Sequence, residues 1–290
     1  MTTVSQTLSG KTARDENFPV ASRLIDRRRR PVILAFYRFV RAADDVADNP
    51  NLSADEKLAR LDHLSEALCD GAVEPEAAPL RVALRAHGLA PKHALDLLEA
   101  FRLDVKKRRY ADFDDLMDYC RLSAMPVGRF VLDAHGESRS LWTASDALCA
   151  ALQIINHLQD CGEDYRRLDR VYLPQTILAA HGGAIEALGG QRATPELLGA
   201  ITELARRAVE LIEQAAGLAR QVADFRLSLE IAAIHGLARG LAERLQQRDP
   251  LSEPVHFSRF ESATIGGLAA ARMLPRALMP RAGRVRGAAA

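Results

Sequence analysis

Two clusters of acidic residues are spaced so that their members become neighbours when the chain is helical. Asp44 and Asp48 are four residues apart in the segment RAADDVAD, and Asp160 and Asp164 repeat that spacing in NHLQDCGED. On a helix each pair lies on one face, one turn apart, and Asn156 lies one turn before the second pair. Like charges at this spacing destabilise a bare helix. Oxygen ligands in this arrangement suit Mg²⁺, which takes one or two protein carboxylates together with waters and substrate phosphates.

Two such faces, opposed across a helical bundle, could hold a diphosphate between them through bridging metal ions. A diphosphate bound in this way becomes a good leaving group, because the charge that develops on it is stabilised as the C–O bond breaks. Apolar walls around the site could then shelter a carbocation from water. The sequence therefore predicts metal-dependent chemistry on a diphosphate, with the four aspartates as the catalytic residues.

The competing interpretation of each pair is a solvated helix face, which is the usual role of two carboxylates one turn apart. Each cluster, however, follows an apolar run, residues 33–40 before the first and residues 148–155 before the second. Carboxylates that extend a core-facing stripe are costly to bury without a partner. This placement favours the interpretation as a metal and diphosphate site.

Further polar residues lie close to the two clusters in sequence. Tyr37 and Arg41 fall on nearly the same helix face as Asp44, so Arg41 could contact phosphate oxygens; the alternative is that it pairs with the neighbouring aspartates. Gln153 precedes the second cluster by about two turns. Arg170 follows it and could close over the diphosphate, with a solvated arginine at a helix exit as the alternative.

Other charged groups are interpreted more simply. His157 is predicted to lie off the face of the second aspartate pair, as a packing or hydrogen-bonding histidine, since imidazole suits Zn²⁺ better than Mg²⁺. The basic runs at residues 27–30 and 106–109 are typical of solvated surfaces.

The elements that must position these residues are helices. Hydrophobic residues make up 48% of the chain but aromatic residues 5%, and this composition favours helix over strand. Caps at Ser53 and Thr194 predict two helix starts. Apolar periodicity predicts further helices over residues 31–48, 76–87, 92–107, 113–135, 142–166 and 225–247. There is no period-two alternation, no GxGxxG or GxxxxGK[ST] loop and no repeat, so we expect an all-α, single-domain bundle.

The two ends of the chain differ from the middle. We expect a flexible tail over residues 1–16, a helical domain over residues 17–262 and a basic tail over residues 263–290. No acidic residue follows Glu261, whereas five arginines do. This tail is either a frayed, solvated end or a segment attracted to an anionic membrane, where each basic residue contributes about 1 kcal/mol.

Charge balance and cysteine content argue against nucleic-acid binding and indicate the compartment in which the protein works. The 39 basic and 38 acidic residues of this 290-residue chain balance to +1, which gives no electrostatic basis for nucleic-acid binding. No signal peptide and no spanning apolar stretch of ~18 residues are recognisable. The four cysteines are scattered and suggest free thiols in a reducing compartment. We therefore expect a cytoplasmic protein, peripherally associated with the inner face of the membrane if the basic tail binds lipid.

Five ordered segments of the sequence resemble the squalene/phytoene synthase family of head-to-head prenyl condensing enzymes. They are residues 17–19, 35–48, 118–128, 153–164 and 170–174, and the helical pattern to about residue 247 is compatible with that family. Within it, residues 17–22, 123–129 and 157–165 are most similar to the branch that forms hydroxysqualene.

The resemblance implies an isoprenoid-synthase-type helical bundle with a central apolar cavity. It implies that presqualene diphosphate binds through several Mg²⁺ ions, ionises to a cyclopropylcarbinyl cation, rearranges to an allylic cation and is captured by water without NADPH. The partners implied are a prenyl diphosphate lipid and neighbouring enzymes of squalene formation. The implied metal ligands are Asp44, Asp48, Asn156, Asp160 and Asp164. The implied substrate-binding residues are Asn17, Tyr37, Arg41, Tyr119, Gln153, Asn156, Arg170 and Tyr172.

Three departures from the family pattern leave alternatives open. Gln159 replaces an arginine common in condensing relatives, Asn17 replaces a serine, and Pro126 interrupts the predicted helix over residues 113–135. One alternative is condensation of two prenyl diphosphates to presqualene diphosphate or phytoene, which uses the same aspartates. The other is a non-catalytic member of the family that acts as an assembly or binding factor.

Overall fold

The computed structural model describes residues 26–71 and 74–274 of the chain. Within these residues the secondary structure is α-helical, apart from short 3-10 turns and one isolated bridge between Arg109 and Val171. The helices are α1 (Arg30–Ala47), α2 (Ala54–Asp70), α3 (Ala77–His87), α4 (Lys92–Lys106), α5 (Phe113–Ser123), α6 (Met125–His135), α7 (Trp142–Gln159), α8 (Cys161–Leu168), α9 (Gln175–Ala180), α10 (Pro195–Gln214), α11 (Leu218–Gln221), α12 (Phe225–Leu245) and α13 (Arg259–Ala271). The predicted N-terminal tail, Asn17 and the arginines beyond residue 274 lie outside the described ranges.

Local sequence accounts for where several helices begin. Ser53 and Glu56 form the capping box of α2: the Ser53 side chain accepts from the Glu56 amide at 3.3 Å, and Glu56 Oε2 accepts from the Ser53 amide at 2.8 Å. Thr194 caps α10 by accepting from the Leu197 amide at 3.3 Å. These two predicted helix starts are confirmed.

Two predicted helices are each divided in the structure. The helix predicted over residues 113–135 breaks at Ala124, and Pro126 lies in the first turn of α6, where its missing N–H costs nothing. The helix predicted over residues 142–166 breaks at Asp160, which separates α7 from α8. The Asp164 amide still donates to the Asp160 carbonyl at 2.8 Å, so Asp160 and Asp164 remain one turn apart across the break.

The end of the described chain is more ordered than a frayed tail. A second capping box, between Ser258 and Glu261, starts α13, so the domain boundary expected after residue 262 falls inside a helix. This helix packs closely on α12, because a Cβ at Gly236 would lie 2.9 Å from the Cβ of Ala269. The sequence-based expectation of a tail from residue 263 overlooked this capping box.

Two apolar clusters form the core. The first comprises residues from the four helices α1, α2, α3 and α4 and from part of α6. Within it the rings of Phe36 and Phe130 stack with their centroids 3.8 Å apart. The second is larger and joins α5, α7, α10 and α12, around residues such as Ile154, Leu204 and Leu241. A cavity of about 550 Å³ opens between the two clusters. None of the helices in the described part of the chain is long and apolar enough to cross a membrane.

Candidate active site

The cavity has walls that change from apolar to acidic along two helices. On α1 the lining residues run from Ile33 to Asp48, and on α7 they run from Ser145 to the junction at Asp160. Both helices thus end in an aspartate cluster, and Asp164 of α8 joins the second cluster in the lining. An acidic region therefore adjoins an apolar chamber within one cavity.

The first aspartate cluster is held by an arginine from its own helix. Arg41 donates to Asp44 at 2.7 Å through Nη1, and its Nη2 lies 3.3 Å from the buried Asp45. Burial, followed by repulsion from Asp48, raises the pKa of Asp44 to about 7. The structure therefore shows the aspartate pairing of Arg41 that the sequence left open. It also shows a carboxylate whose ionised form is disfavoured by burial and by the charge of Asp48.

Arg170 connects the segment after α8 to the end of α1. It is 7% exposed, and its Nη1 donates to Asp48 at 2.5 Å while its Nε donates to the Asp104 carbonyl at 3.1 Å. Its Nη2 reaches the Ala47 carbonyl at 3.4 Å. The solvated arginine considered from sequence is therefore wrong: Arg170 is a buried cation in the cavity wall.

Asp104 of α4 is a site residue that sequence reasoning missed. It is 7% exposed and accepts hydrogen bonds of 2.8 Å from both Tyr119 and Tyr172. Burial raises the pKa of Asp104, while Arg170 and the two hydroxyls act in the opposite direction. The available signal was its place on α4, where an acidic residue continues the apolar face of Leu97 and Phe101.

The histidine of the second cluster also faces the cavity. The His157 ring stacks on Tyr172 with centroids 3.4 Å apart, its Nε2 lies 2.9 Å from Gln153 Nε2, and its Nδ1 lies 3.9 Å from Asp164 Oδ2. The prediction that His157 lies off the face of the aspartate pair is therefore wrong, although it does pack and hydrogen-bond as expected. Helical spacing itself accounts for this position, because residues three and seven places apart, such as His157 with Asp160 and with Asp164, lie on neighbouring parts of one helix face.

The second aspartate cluster lies at the α7–α8 junction. Asp160 is solvent-exposed and Asp164 is half-buried. Desolvation by the surrounding protein, followed by repulsion from Asp164, raises the pKa of Asp160. Within residues 26–71 and 74–274, no three histidine, cysteine, aspartate or glutamate side chains converge to form a metal centre by themselves. Two carboxylate pairs fit a hard cation that draws its other ligands from water and phosphate, as Mg²⁺ does.

The structure brings together all the predicted site residues that it describes. The cavity lining includes Tyr37, Arg41, Asp44, Asp48, Tyr119, Gln153, Asn156, Asp160, Asp164, Arg170 and Tyr172. Asn17 lies outside the described residues. Gln159, which departs from the family pattern, is buried, and its amide lies 3.1 Å from His256 Nδ1 and also donates to the Val255 carbonyl. Gln159 thus contacts the segment before α13.

Comparisons with known proteins give a consistent result. The family described as squalene/phytoene synthase matches residues 11–261. The chain is 55% identical over 262 residues to a protein of Rhodopseudomonas palustris named hydroxysqualene synthase, and 52% identical over 262 residues to one of the same name from Sinorhizobium fredii, with 90% of each chain covered in both cases. The crystal structure of squalene synthase HpnC from Alicyclobacillus acidocaldarius superposes with a TM-score of 0.72 at 30% identity, covering 84% of this chain and 92% of that one.

Proposed function

The chain belongs to the squalene/phytoene synthase family, and on that premise we propose that it is a hydroxysqualene synthase. Its reaction converts presqualene diphosphate and water into hydroxysqualene and diphosphate. The observation that carries this proposal is the joining of two aspartate pairs to an apolar chamber in one cavity of about 550 Å³. A diphosphate ester of a long hydrocarbon needs both environments at once.

The acidic region suits the diphosphate group. Asp44, Asp48, Asn156, Asp160 and Asp164 are the residues that would hold Mg²⁺. When bound, Mg²⁺ would neutralise the charge that develops on the departing diphosphate. Arg170 keeps Asp48 in place from the protein side, and Arg41 does the same for Asp44.

The diphosphate also needs contacts that do not pass through metal. Arg41 is about a fifth exposed and lines the cavity beside Tyr37, so both can reach phosphate oxygens. Arg170 lines the same region and is held by three acceptors, so it offers a cation whose position is set before substrate arrives.

The apolar chamber suits the hydrocarbon and the cation derived from it. When the C–O bond breaks, its electron pair leaves with the diphosphate, and the cyclopropylcarbinyl cation rearranges to an allylic cation inside the chamber. The rings of Tyr119 and Tyr172 line the cavity near the acidic region, and aromatic faces stabilise a nearby positive charge. Exclusion of bulk water by walls such as Leu148 and Leu152 delays capture until the rearrangement is complete.

Product analysis tests the reaction. Purified protein with Mg²⁺ receives presqualene diphosphate in one tube and farnesyl diphosphate in another, without NADPH, and the extracted lipids are identified by gas chromatography–mass spectrometry. We expect an alcohol of hydroxysqualene mass from the first tube alone. Presqualene diphosphate formed from farnesyl diphosphate would instead support condensation, which the names of the similar proteins do not favour. No product in either tube, from folded protein, would support a binding factor.

We also propose that the protein works in the cytoplasm and contacts the membrane that holds its lipid substrate and the neighbouring enzymes of squalene formation. Three large apolar side chains near the end of the described chain are strongly exposed: Phe260 at 80%, Leu268 at 60% and Leu274 at 54%. Phe260 and Leu268 lie about 80° apart around the axis of α13, and Leu274 follows the end of that helix. The sequence beyond them is acid-free and carries four arginines. An apolar helix face followed by positive charge suits the surface of an anionic bilayer.

A further inference from the structure

Asp104 of α4 holds three other side chains of the cavity wall. Its carboxylate accepts the Tyr119 hydroxyl at Oδ2 and the Tyr172 hydroxyl at Oδ1, each at 2.8 Å, and its main-chain carbonyl accepts from Arg170 Nε at 3.1 Å. All four residues line the cavity. We propose that Asp104 is a positioning residue that fixes the orientation of the two tyrosine side chains beside the carbocation. This inference rests on the proposed function, because it deepens the rearrangement step of that reaction.

Ring packing alone does not fix the orientation of both tyrosines. Tyr172 lies nearly parallel to His157 and to Tyr110, with interplanar angles of 10° and 21°. Tyr119 is instead tilted against all three of these rings, by angles of 37° to 55°. Stacking therefore holds the plane of Tyr172, whereas Tyr119 depends on its hydrogen bond to Asp104 for a directed contact. The shared carboxylate also sets the direction of both hydroxyl groups.

The direction of the two hydroxyl groups matters to a cation in the chamber. Each hydroxyl proton is committed to an Asp104 oxygen, so the O–H dipoles of Tyr119 and Tyr172 cannot turn their positive ends toward the cation. A phenol that donates to a carboxylate is polarised, which makes its ring more negative and strengthens its attraction for a nearby positive charge. Asp104 thereby keeps both rings in the state that favours the carbocation over its early capture by water.

The side chain and the main chain of Asp104 serve different parts of the cavity. The carboxylate contacts the tyrosines, while the main-chain carbonyl contacts Arg170, which in turn donates to Asp48 of the diphosphate region. A substitution of the Asp104 side chain leaves its carbonyl available to Arg170. The effect on the cation can therefore be separated from the effect on diphosphate release.

The test compares Asp104→Asn with wild type at a single turnover of presqualene diphosphate and Mg²⁺. Diphosphate release and lipid products are measured in the same tube, in water enriched in ¹⁸O. The amide keeps one oxygen acceptor, so one of the two tyrosine hydroxyls loses its partner. We expect the fraction of released diphosphate matched by ¹⁸O-labelled hydroxysqualene to fall about tenfold, and diphosphate release to change by less than about threefold. Alcohols that keep the cyclopropane ring, from early capture, should replace the missing product.

Variants of the tyrosines show whether Asp104 acts through them. Tyr119→Phe and Tyr172→Phe each keep the ring and remove one hydrogen bond, so each should shift the products in the same direction. Tyr110→Phe is the matched control, because the buried Tyr110 hydroxyl has no hydrogen-bond partner among the described residues although its ring packs in the same cluster. Adding Asp104→Asn to the double variant Tyr119→Phe with Tyr172→Phe should cause little further change.

Three results would overturn the inference. They are an unchanged hydroxysqualene fraction in folded Asp104→Asn, a shift in Tyr110→Phe as large as in the other two tyrosine variants, and an additive effect of Asp104→Asn in the double variant. If Asp104→Asn does not fold, the single tyrosine variants decide, and unchanged products in both would overturn it. Failure of the proposed function appears differently, because wild type itself would then form no hydroxysqualene.

Discussion

The guanidinium of Arg170 lies 2.5 Å from the carboxylate of Asp48, Nη1 to Oδ1, although the two residues are 122 positions apart in the chain. Asp48 ends α1, which belongs to the first apolar cluster, while Arg170 follows α8, next to the second. The same arginine donates to the backbone carbonyls of Ala47 and Asp104. The acidic region of the cavity is thus assembled by a buried cation that joins elements from both clusters.

Replacing Arg170 by lysine should weaken both stability and activity. Lysine keeps the charge but cannot reproduce three directed donors, so buried acceptors are left unsatisfied and we expect a loss of about 1–3 kcal/mol in the free energy of unfolding. Urea denaturation measures it. The control is Arg167→Ala, which removes an ion pair with Glu163; the two side chains are 69% and 59% exposed, respectively. This variant should change the free energy of unfolding by less than about 0.5 kcal/mol. Equal effects of the two variants would contradict a central role for Arg170.

The double variant Asp160→Asn with Asp164→Asn should fold and lose turnover. Amides keep the size of the side chains but remove the charges that a metal-bound diphosphate needs, and we expect diphosphate release to fall by about 100-fold or more. Release is measured across a Mg²⁺ titration, with circular dichroism to verify folding. Glu163→Gln, an exposed neighbour on α8, is the matched control. A folded double variant with wild-type turnover would show that Asp160 and Asp164 do not hold the metal-bound diphosphate.

These aspartates could be predicted because their spacing is local. The pairs at four-residue spacing and the capping box at Ser53 and Glu56 depend on contacts within one or two turns, which the sequence displays directly. Asp104 depends instead on Tyr119 and Tyr172, which are 15 and 68 positions away and come from other elements. Such a network has no local spacing signal, so an isolated acidic residue on an apolar helix face was the sole indication.

The divided helices show a second limit of sequence reasoning. The apolar pattern continues through Asp160 because both α7 and α8 bury a face, so periodicity alone predicted one helix. At Pro126 the residue type indicated an interruption, because proline has no N–H to donate and its ring crowds the preceding helical turn, and the structure places the junction at Ala124.

Ionisation of Asp44 should destabilise the metal-free protein as pH rises, and Asp44→Asn should remove this contribution to the pH dependence of stability. The folded state raises the pKa of Asp44 from 3.8 to about 7, so it binds a proton that the unfolded chain has already lost. The contribution of Asp44 to the free energy of unfolding is therefore largest below about pH 4 and decreases as pH rises through 7. The Asp44 side chain is 33% exposed, so water screens part of the repulsion. We therefore expect Asp44→Asn to exceed wild type by about 1 kcal/mol in the free energy of unfolding at pH 8, which corresponds to ~2–4 °C in Tm.

Thermal unfolding of both proteins without metal, at pH 4 and pH 8, measures this difference. The exposed Glu66 of α2 provides the control variant Glu66→Gln, which should leave the pH dependence unchanged. Adding Mg²⁺ at pH 8 should stabilise wild type more than Asp44→Asn. If Asp44→Asn is no more stable than wild type at pH 8, repulsion within the first cluster is not a cost in the folded state.

Removing the apolar face of α13 or the basic segment after it should weaken binding to anionic vesicles. Loss of four arginines at about 1 kcal/mol each near the lipid surface predicts a clear drop in sedimentation for a deletion of residues 275–290. Phe260→Ser should act through lost apolar contact. Val82→Ser, at an exposed apolar position on α3 (66%), is the control. Unchanged binding by both test variants would remove this end of the chain from the membrane contact.

Gly128→Ala should destabilise the cavity wall, because α6 and α7 touch there without room for a side chain. A Cβ at Gly128 would collide with Ser145 Oγ and come within 2.6 Å of Cys149 Sγ. Since Gly128, Ser145 and Cys149 all line the cavity, separating the helices would also reshape it. We expect a loss of about 1–3 kcal/mol in the free energy of unfolding.

Combining Gly128→Ala with Ser145→Ala and Cys149→Ala frees the space, so the combined loss of stability should be less than the sum of the separate losses. Gly267→Ala on α13, where no heavy atom lies within 4 Å, should be neutral or stabilising. Additive losses, measured by urea denaturation, would show that the cost of Gly128→Ala does not come from contact with Ser145 and Cys149.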